Sequence, residues 1–125
     1  MGLNQKKILV VDDETEYTSF LRGVLSSYEV REENLGSRVL QSAREFRPDL
    51  ILLDINIPYV SGDLIASLIQ QDERLKDIPI IFITGLLTSD EAAEKLNGRH
   101  LVLSKPVKSE ELLKCVADAL ANRPQ

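Results

Sequence analysis

The sequence predicts an α/β fold, a parallel five-stranded sheet carrying five helices. Three observations lead there. The runs Ile8-Leu9-Val10-Val11, Leu50-Ile51-Leu52-Leu53, Ile80-Ile81-Phe82-Ile83 and Leu101-Val102-Leu103 are continuously apolar, as strands covered on both faces are. Segments with helical apolar spacing separate them. Each run leads into a polar group: Asp12-Asp13-Glu14, Asp54, Thr84 and Ser104-Lys105. In parallel sheets those carboxyl ends share one edge, where ligands bind.

The elements follow in order. A first strand is expected over about Lys7–Val11, then a helix over about Glu14–Ser27 with Tyr17, Phe20, Leu21, Val24 and Leu25 on one stripe. A short strand around Tyr28–Arg31 is the least apolar. Gly36, Val39, Leu40, Ala43 and Phe46 mark a second helix, closed by Pro48. After the Leu50–Leu53 strand, Ser61-Gly62 opens a third helix bearing Leu64, Ile65, Leu68 and Ile69. Pro79 opens the fourth strand. A fourth helix, about Ser89–Leu96, offers only Ala92, Ala93 and Leu96 for burial and stops at Asn97-Gly98. The last helix is expected over about Ser109–Ala121, with Ser109 as its cap and Glu110 and Glu111 in the first turn.

Composition narrows the function. One domain accounts for 125 residues, and 43% apolar content is enough for a core. A net charge of −5 disfavours a nucleic-acid surface. Cys115 is the single cysteine, which fits a reducing compartment, and its place beside Leu112 and Val116 suggests core packing. No apolar stretch reaches membrane-spanning length, and Met1–Lys7 lacks the apolar segment of a signal peptide. The domain is therefore expected to be cytoplasmic. His100 reads as a surface residue before a strand.

Three carboxylates gathered at one edge repel one another and call for a cation. Hard oxygen ligands suit Mg²⁺, which takes one or two carboxylates, waters and a phosphate oxygen. Asp12, Asp13 and Asp54 meet that requirement. A phosphoryl group needs positive charge and donors around its oxygens. Lys105 supplies the charge and Thr84 a hydroxyl. Asp54, alone at its strand end, is the better nucleophile, and carboxylates forming acyl phosphates are a known covalent strategy.

The motifs Ile8-Leu9-Val10-Val11-Asp12-Asp13-Glu14, Leu52-Leu53-Asp54-Ile55-Asn56-Ile57-Pro58, Thr84-Gly85 and Ser104-Lys105-Pro106 occur in that order. With them the chain resembles the receiver domain of two-component response regulators over nearly its whole length, residues 1–125 reading as a single receiver without an output domain. The resemblance implies a doubly wound, flavodoxin-like sheet of order 2-1-3-4-5. It implies phosphorylation of Asp54 by a histidine kinase or histidine phosphotransfer domain. Mg²⁺ would be held by Asp13, Asp54, Asp12 and the backbone carbonyl of Asn56, and Thr84 and Lys105 would contact the phosphoryl oxygens. The Lys105–Pro106 peptide is often cis in such domains. Downstream partners would be an output domain, another protein or a second copy of the chain.

One departure stands out. Many receivers carry a Tyr or Phe three positions before the lysine; here it is Val102. That leaves the phosphorylation chemistry intact and removes half of the usual switch pair. Switching is expected to run through the Gly85-Leu86-Leu87-Thr88 loop and the adjacent helix. Two other readings are a receiver-like interaction module that is never phosphorylated and an aspartyl-nucleophile phosphatase. Phosphatases of the haloacid dehalogenase type usually place a second acid where this chain has Asn56. The domain is expected to be a signalling module rather than an enzyme acting on outside substrates.

Overall fold

The structure is a computed structural model that describes residues 5–85 and 101–121. The helix expected over Ser89–Leu96, its Asn97-Gly98 stop, His100 and most of the switching loop lie outside the described residues.

The sheet has five parallel strands in the order β2-β1-β3-β4-β5. They are β1 (Lys7–Val11), β2 (Glu29–Glu33), β3 (Leu50–Asp54), β4 (Ile80–Thr84) and β5 (Leu101–Ser104). The described α-helices are α1 (Thr15–Val24), α2 (Val39–Phe46), α3 (Gly62–Gln71) and α4 (Ser109–Ala121), with a short 3-10 turn at Gly36–Arg38 before α2.

Strand side chains alternate between the two faces. Leu9, Val11, Ile51, Leu53, Ile80 and Phe82 join Val39 and Ala43 of α2 and Ile65 and Ile69 of α3. Ile8, Val10, Leu50, Leu52, Ile81, Ile83 and Leu103 join Leu21 of α1 and Leu112 and Val116 of α4. The continuous apolar runs are thus split between two cores, and the interior of the sheet has no solvent face.

Several elements depart from expectation. α1 ends at Val24, with Leu25 as its C-cap. Of the expected α1 stripe, Leu21 and Leu25 are buried and Phe20 is exposed. On α3, Ile65 and Ile69 are buried, while Leu64 and Leu68 face solvent. Ser109 is the first helical residue of α4 rather than its cap, and the carbonyl of Lys108 accepts from the Leu112 amide. β2 begins later than expected because Glu29, Arg31, Glu32 and Glu33 hide it from hydrophobic patterning. Its backbone pairs with β1 in register, Lys7 opposite Glu29 and Val11 opposite Glu33. A charged strand is tolerated at a sheet edge and discourages pairing with another chain.

Candidate functional site

The carboxyl ends of β1, β3, β4 and β5 converge. Val11 lies opposite Leu53, Asp54 opposite Ile83, and Thr84 opposite Ser104. The register therefore brings the residues after β1, the end of β3, the end of β4 and the residue after β5 to one edge. Carboxylate oxygens of Asp12, Asp13 and Asp54 lie within 4.8 Å of one another.

The three acids differ. Asp12 is buried; one of its oxygens accepts from the Glu14 backbone amide at 2.9 Å and the other from Lys105 Nζ at 2.6 Å. Asp13 is exposed at the mouth of the site. It does not cap α1: Glu14 holds the cap position without a side-chain cap bond. Asp54 is 4% exposed and accepts from the Asn56 backbone amide at 3.0 Å. Its other oxygen lies 3.7 Å from Lys105 Nζ.

These surroundings set the proton affinities. Burial pushes the Asp54 carboxyl up to about 6; the Asn56 amide opposes that, the Asp12 charge adds to it, Lys105 opposes and Asp13 adds. Burial is also the largest influence on Lys105 and disfavours its charge. The hydrogen bond to Asp12 and the charges of Asp54 and Asp12 outweigh it, leaving the ammonium above its ordinary pKa. The site holds a fixed cation beside a buried carboxylate that is still mostly ionised near neutral pH.

Thr84 is fully buried, and its hydroxyl accepts from Asn56 Nδ2 at 3.3 Å. The Lys105 backbone amide donates to the Thr84 carbonyl at 2.8 Å, tying the ends of β4 and β5 together. The Lys105–Pro106 peptide is cis. Val102 is half-buried and packs on the α2/α3 core, opposite Phe82 in register.

The family model described as "Response regulator receiver domain" matches residues 8–117. The chain belongs to that family. The polar-differentiation response regulator DivK of Brucella anthropi is 31% identical over 120 residues, covering 94% of this receiver and 98% of that protein. A putative response regulator from Chloroflexus aurantiacus superposes with a TM-score of 0.85 at 29% identity, covering 95% of this receiver and all of that chain. The chemotaxis protein CheY4 of Vibrio cholerae superposes at 0.82 with 28% identity, covering 92% of this receiver and 98% of that chain. No described helix is long and apolar enough to cross a membrane.

Asp12, Asp13, Asp54, Asn56, Thr84 and Lys105, the residues singled out from the sequence, all lie at this edge of the receiver. Three further residues shape it. Asn34, just after β2, donates from Nδ2 to the Asp12 carbonyl at 2.8 Å and to the Thr18 hydroxyl at 3.0 Å, fixing the acidic turn to α1. An Asn after a strand reads as a turn former, and only the β1–β2 pairing reveals this second task. Gly62 packs against the backbone of Asp54 and Ile55, and its amide donates to the Ile55 carbonyl at 2.8 Å. Its only sequence signal is a glycine at a helix start. Tyr17 packs against the α1/α4 core, as its place on the stripe predicts, and also turns its ring face toward Lys105, with Nζ 4.3 Å from the ring centroid.

Proposed function

We propose that this receiver accepts a phosphoryl group on Asp54 from a histidine kinase or histidine phosphotransfer domain. The observation that carries the reading is a buried carboxylate beside a lysine ammonium and two further carboxylates. An Asp54 oxygen attacks phosphorus as the bond from phosphorus to the donor imidazole nitrogen breaks. The nitrogen keeps the electron pair, is reprotonated by solvent, and an acyl phosphate is left on Asp54. A carboxylate whose pKa is raised to about 6 is a stronger nucleophile than an ordinary one and is still mostly ionised at neutral pH.

The donor set suits Mg²⁺: Asp12, Asp13 and Asp54 supply hard oxygens, and the Asn56 carbonyl is the proposed fourth ligand. Bound there, the cation would neutralise charge on the phosphoryl oxygens. Lys105 and the Thr84 hydroxyl would donate to those oxygens, the hydroxyl through its own proton, which its bond from Asn56 does not use. Movement at Gly85 would carry that change into the segment that follows, for which the sequence predicts a loop and a helix, and alter partner binding. Asn56 supports a signalling role over phosphatase chemistry, because an amide there cannot protonate a leaving group or activate water as a second acid would.

Incubation with Mg²⁺ and acetyl phosphate, followed by intact mass, tests the assignment. One persistent phosphoryl adduct is expected on the wild type and none on Asp54→Ala. An unlabelled wild type would support a module that is never phosphorylated, and turnover of outside phosphoesters would support a phosphatase. Full labelling of Asp54→Ala would place the acceptor elsewhere.

The cation makes a separate prediction. Mg²⁺ that binds only the folded form should stabilise it by about 2.7 kcal/mol at a hundredfold excess over its dissociation constant, and so raise the melting temperature. Asp13 is exposed, so Asp13→Asn should fold, relieve repulsion in the metal-free protein and abolish most of the Mg²⁺ response. A mutant melting curve that still moves fully with Mg²⁺ would put the cation at another place.

A further inference from the structure

The ammonium of Lys105 lies 2.6 Å from Asp12, 3.7 Å from Asp54 and 3.9 Å from the exposed Glu14 carboxylate, so three carboxylates compete for it and Asp12 is favoured. Mg²⁺ binding would claim Asp12 and Asp54 and repel the ammonium. Some feature must then keep Lys105 within reach of Asp54 without adding another anion. The surroundings of the side chain supply one. Its stem passes over Gly85, where an added Cβ would lie 3.4 Å from Lys105 Cδ. Its head lies over the face of Tyr17. The Tyr17 ring is itself braced by Phe20, at 5.8 Å between centroids and a tilt of 40°.

We propose that Tyr17 is a positioning residue that holds the Lys105 ammonium over its ring face and so presents it to the phosphoryl group on Asp54. An aromatic face suits this task. It attracts a cation through its quadrupole, strongly enough to compete once water is thinned out. It carries no net charge, so it neither captures the ammonium as a carboxylate would nor competes for Mg²⁺. The attraction varies gently across the face, letting Nζ pass from Asp12 toward Asp54 while remaining held. The hydroxyl has no part in this, and the ring alone is required.

The proposal rests on the phosphoryl-acceptor reading, and two measurements keep their failures apart. The first needs no phosphorylation: the Lys105 Hε protons should be shifted upfield by the Tyr17 ring current in NMR spectra. That shift should persist in Tyr17→Phe and vanish in Tyr17→Leu and Tyr17→Met. The second is the rate of labelling by acetyl phosphate with Mg²⁺, together with beryllofluoride affinity. Phe should stay within about twofold of wild type, whereas Leu and Met should lose about tenfold in both, within the range of a partly desolvated cation–π contact. Met is the flexible filler of similar bulk should Leu fold poorly, and urea midpoints establish that each variant is folded. A folded, ring-free variant that labels and binds beryllofluoride like wild type would overturn the proposal. So would a Phe variant as impaired as Leu. A wild type that shows the ring-current shift but takes no label would instead overturn the acceptor reading.

Discussion

Gly62→Ala should cost the domain about 3 kcal/mol or more, although alanine is the better helix former. Gly62 is the first residue of α3, and its amide is bonded to the Ile55 carbonyl. An added Cβ would stand 2.4 Å from the Asp54 carbonyl oxygen and 2.7 Å from Ile55 Cα. Those neighbours are backbone atoms at the end of a fully buried central strand, so they cannot swing aside. The gain of roughly 0.5–1 kcal/mol that alanine brings inside a helix is overwhelmed. Gly23→Ala is the matched control. It lies within α1, and nothing stands within 4 Å of an added Cβ. It should stabilise by about 0.5–1 kcal/mol. Urea denaturation of both variants reads the opposite signs. A neutral Gly62→Ala would show that the β3–α3 connection has slack at the very residue that carries the proposed phosphoryl group.

Asp54→Asn should stabilise the metal-free domain at pH 8. The Asp54 carboxyl rises from an ordinary 3.8 to about 6 on folding, mainly through burial. The folded state therefore holds that proton more tightly than the unfolded state. Its contribution favours folding fully below about pH 4 and is lost as the pH climbs past 6. Above that, the native protein bears a buried charge that the unfolded chain would hydrate, and an amide there is free of this cost. At 1.36 kcal/mol per pH unit, and allowing for solvent screening, the advantage of Asn should be about 2 kcal/mol at pH 8. It should shrink by about 1 kcal/mol at pH 5. Chemical denaturation in EDTA at the two pH values tests this. A gap that does not change with pH would trace the effect to packing rather than charge.

Most of the fold was legible in the sequence because its strands are buried on both faces. β3, five buried residues reading LILLD, cannot be mistaken for an amphipathic element. β2 was harder: an edge strand rich in glutamate is held by its backbone ladder and leaves no apolar pattern to read. Strand order was not contained in the periodicity at all, and came only from the family resemblance. At the candidate site, acids, hydroxyl and lysine were legible because strand ends of a parallel sheet must meet. Tyr17 and Gly62 were not. The helical spacing of Tyr17 with Leu21 foretells its core packing, but its contact with Lys105 exists only once α1 and the segment after β5 are packed. The importance of Gly62 lies in a close approach to backbone, which composition does not register. Phe20, Leu64 and Leu68 show the opposite error, since helical spacing defines a stripe wider than the face that is covered.

The bond from the Asn56 side chain to the Thr84 hydroxyl bears on how crisply such a receiver can signal. That hydroxyl accepts from the amide, and under the proposed function it donates its own proton to a charged phosphoryl oxygen. A neutral hydrogen bond is worth about 1 kcal/mol net and one to a charged group about 1.5–3 kcal/mol. Giving the hydroxyl proton a charged acceptor in place of a neutral one tilts the balance by only about tenfold, whereas turning a 1:99 mixture into 99:1 takes about 10⁴. A receiver relying on this contact by itself would leak output before stimulation and saturate early after it. The sharpness of its response has to be bought from the lysine and from whatever partner binds the altered surface, so the same domain can be graded in one complex and decisive in another.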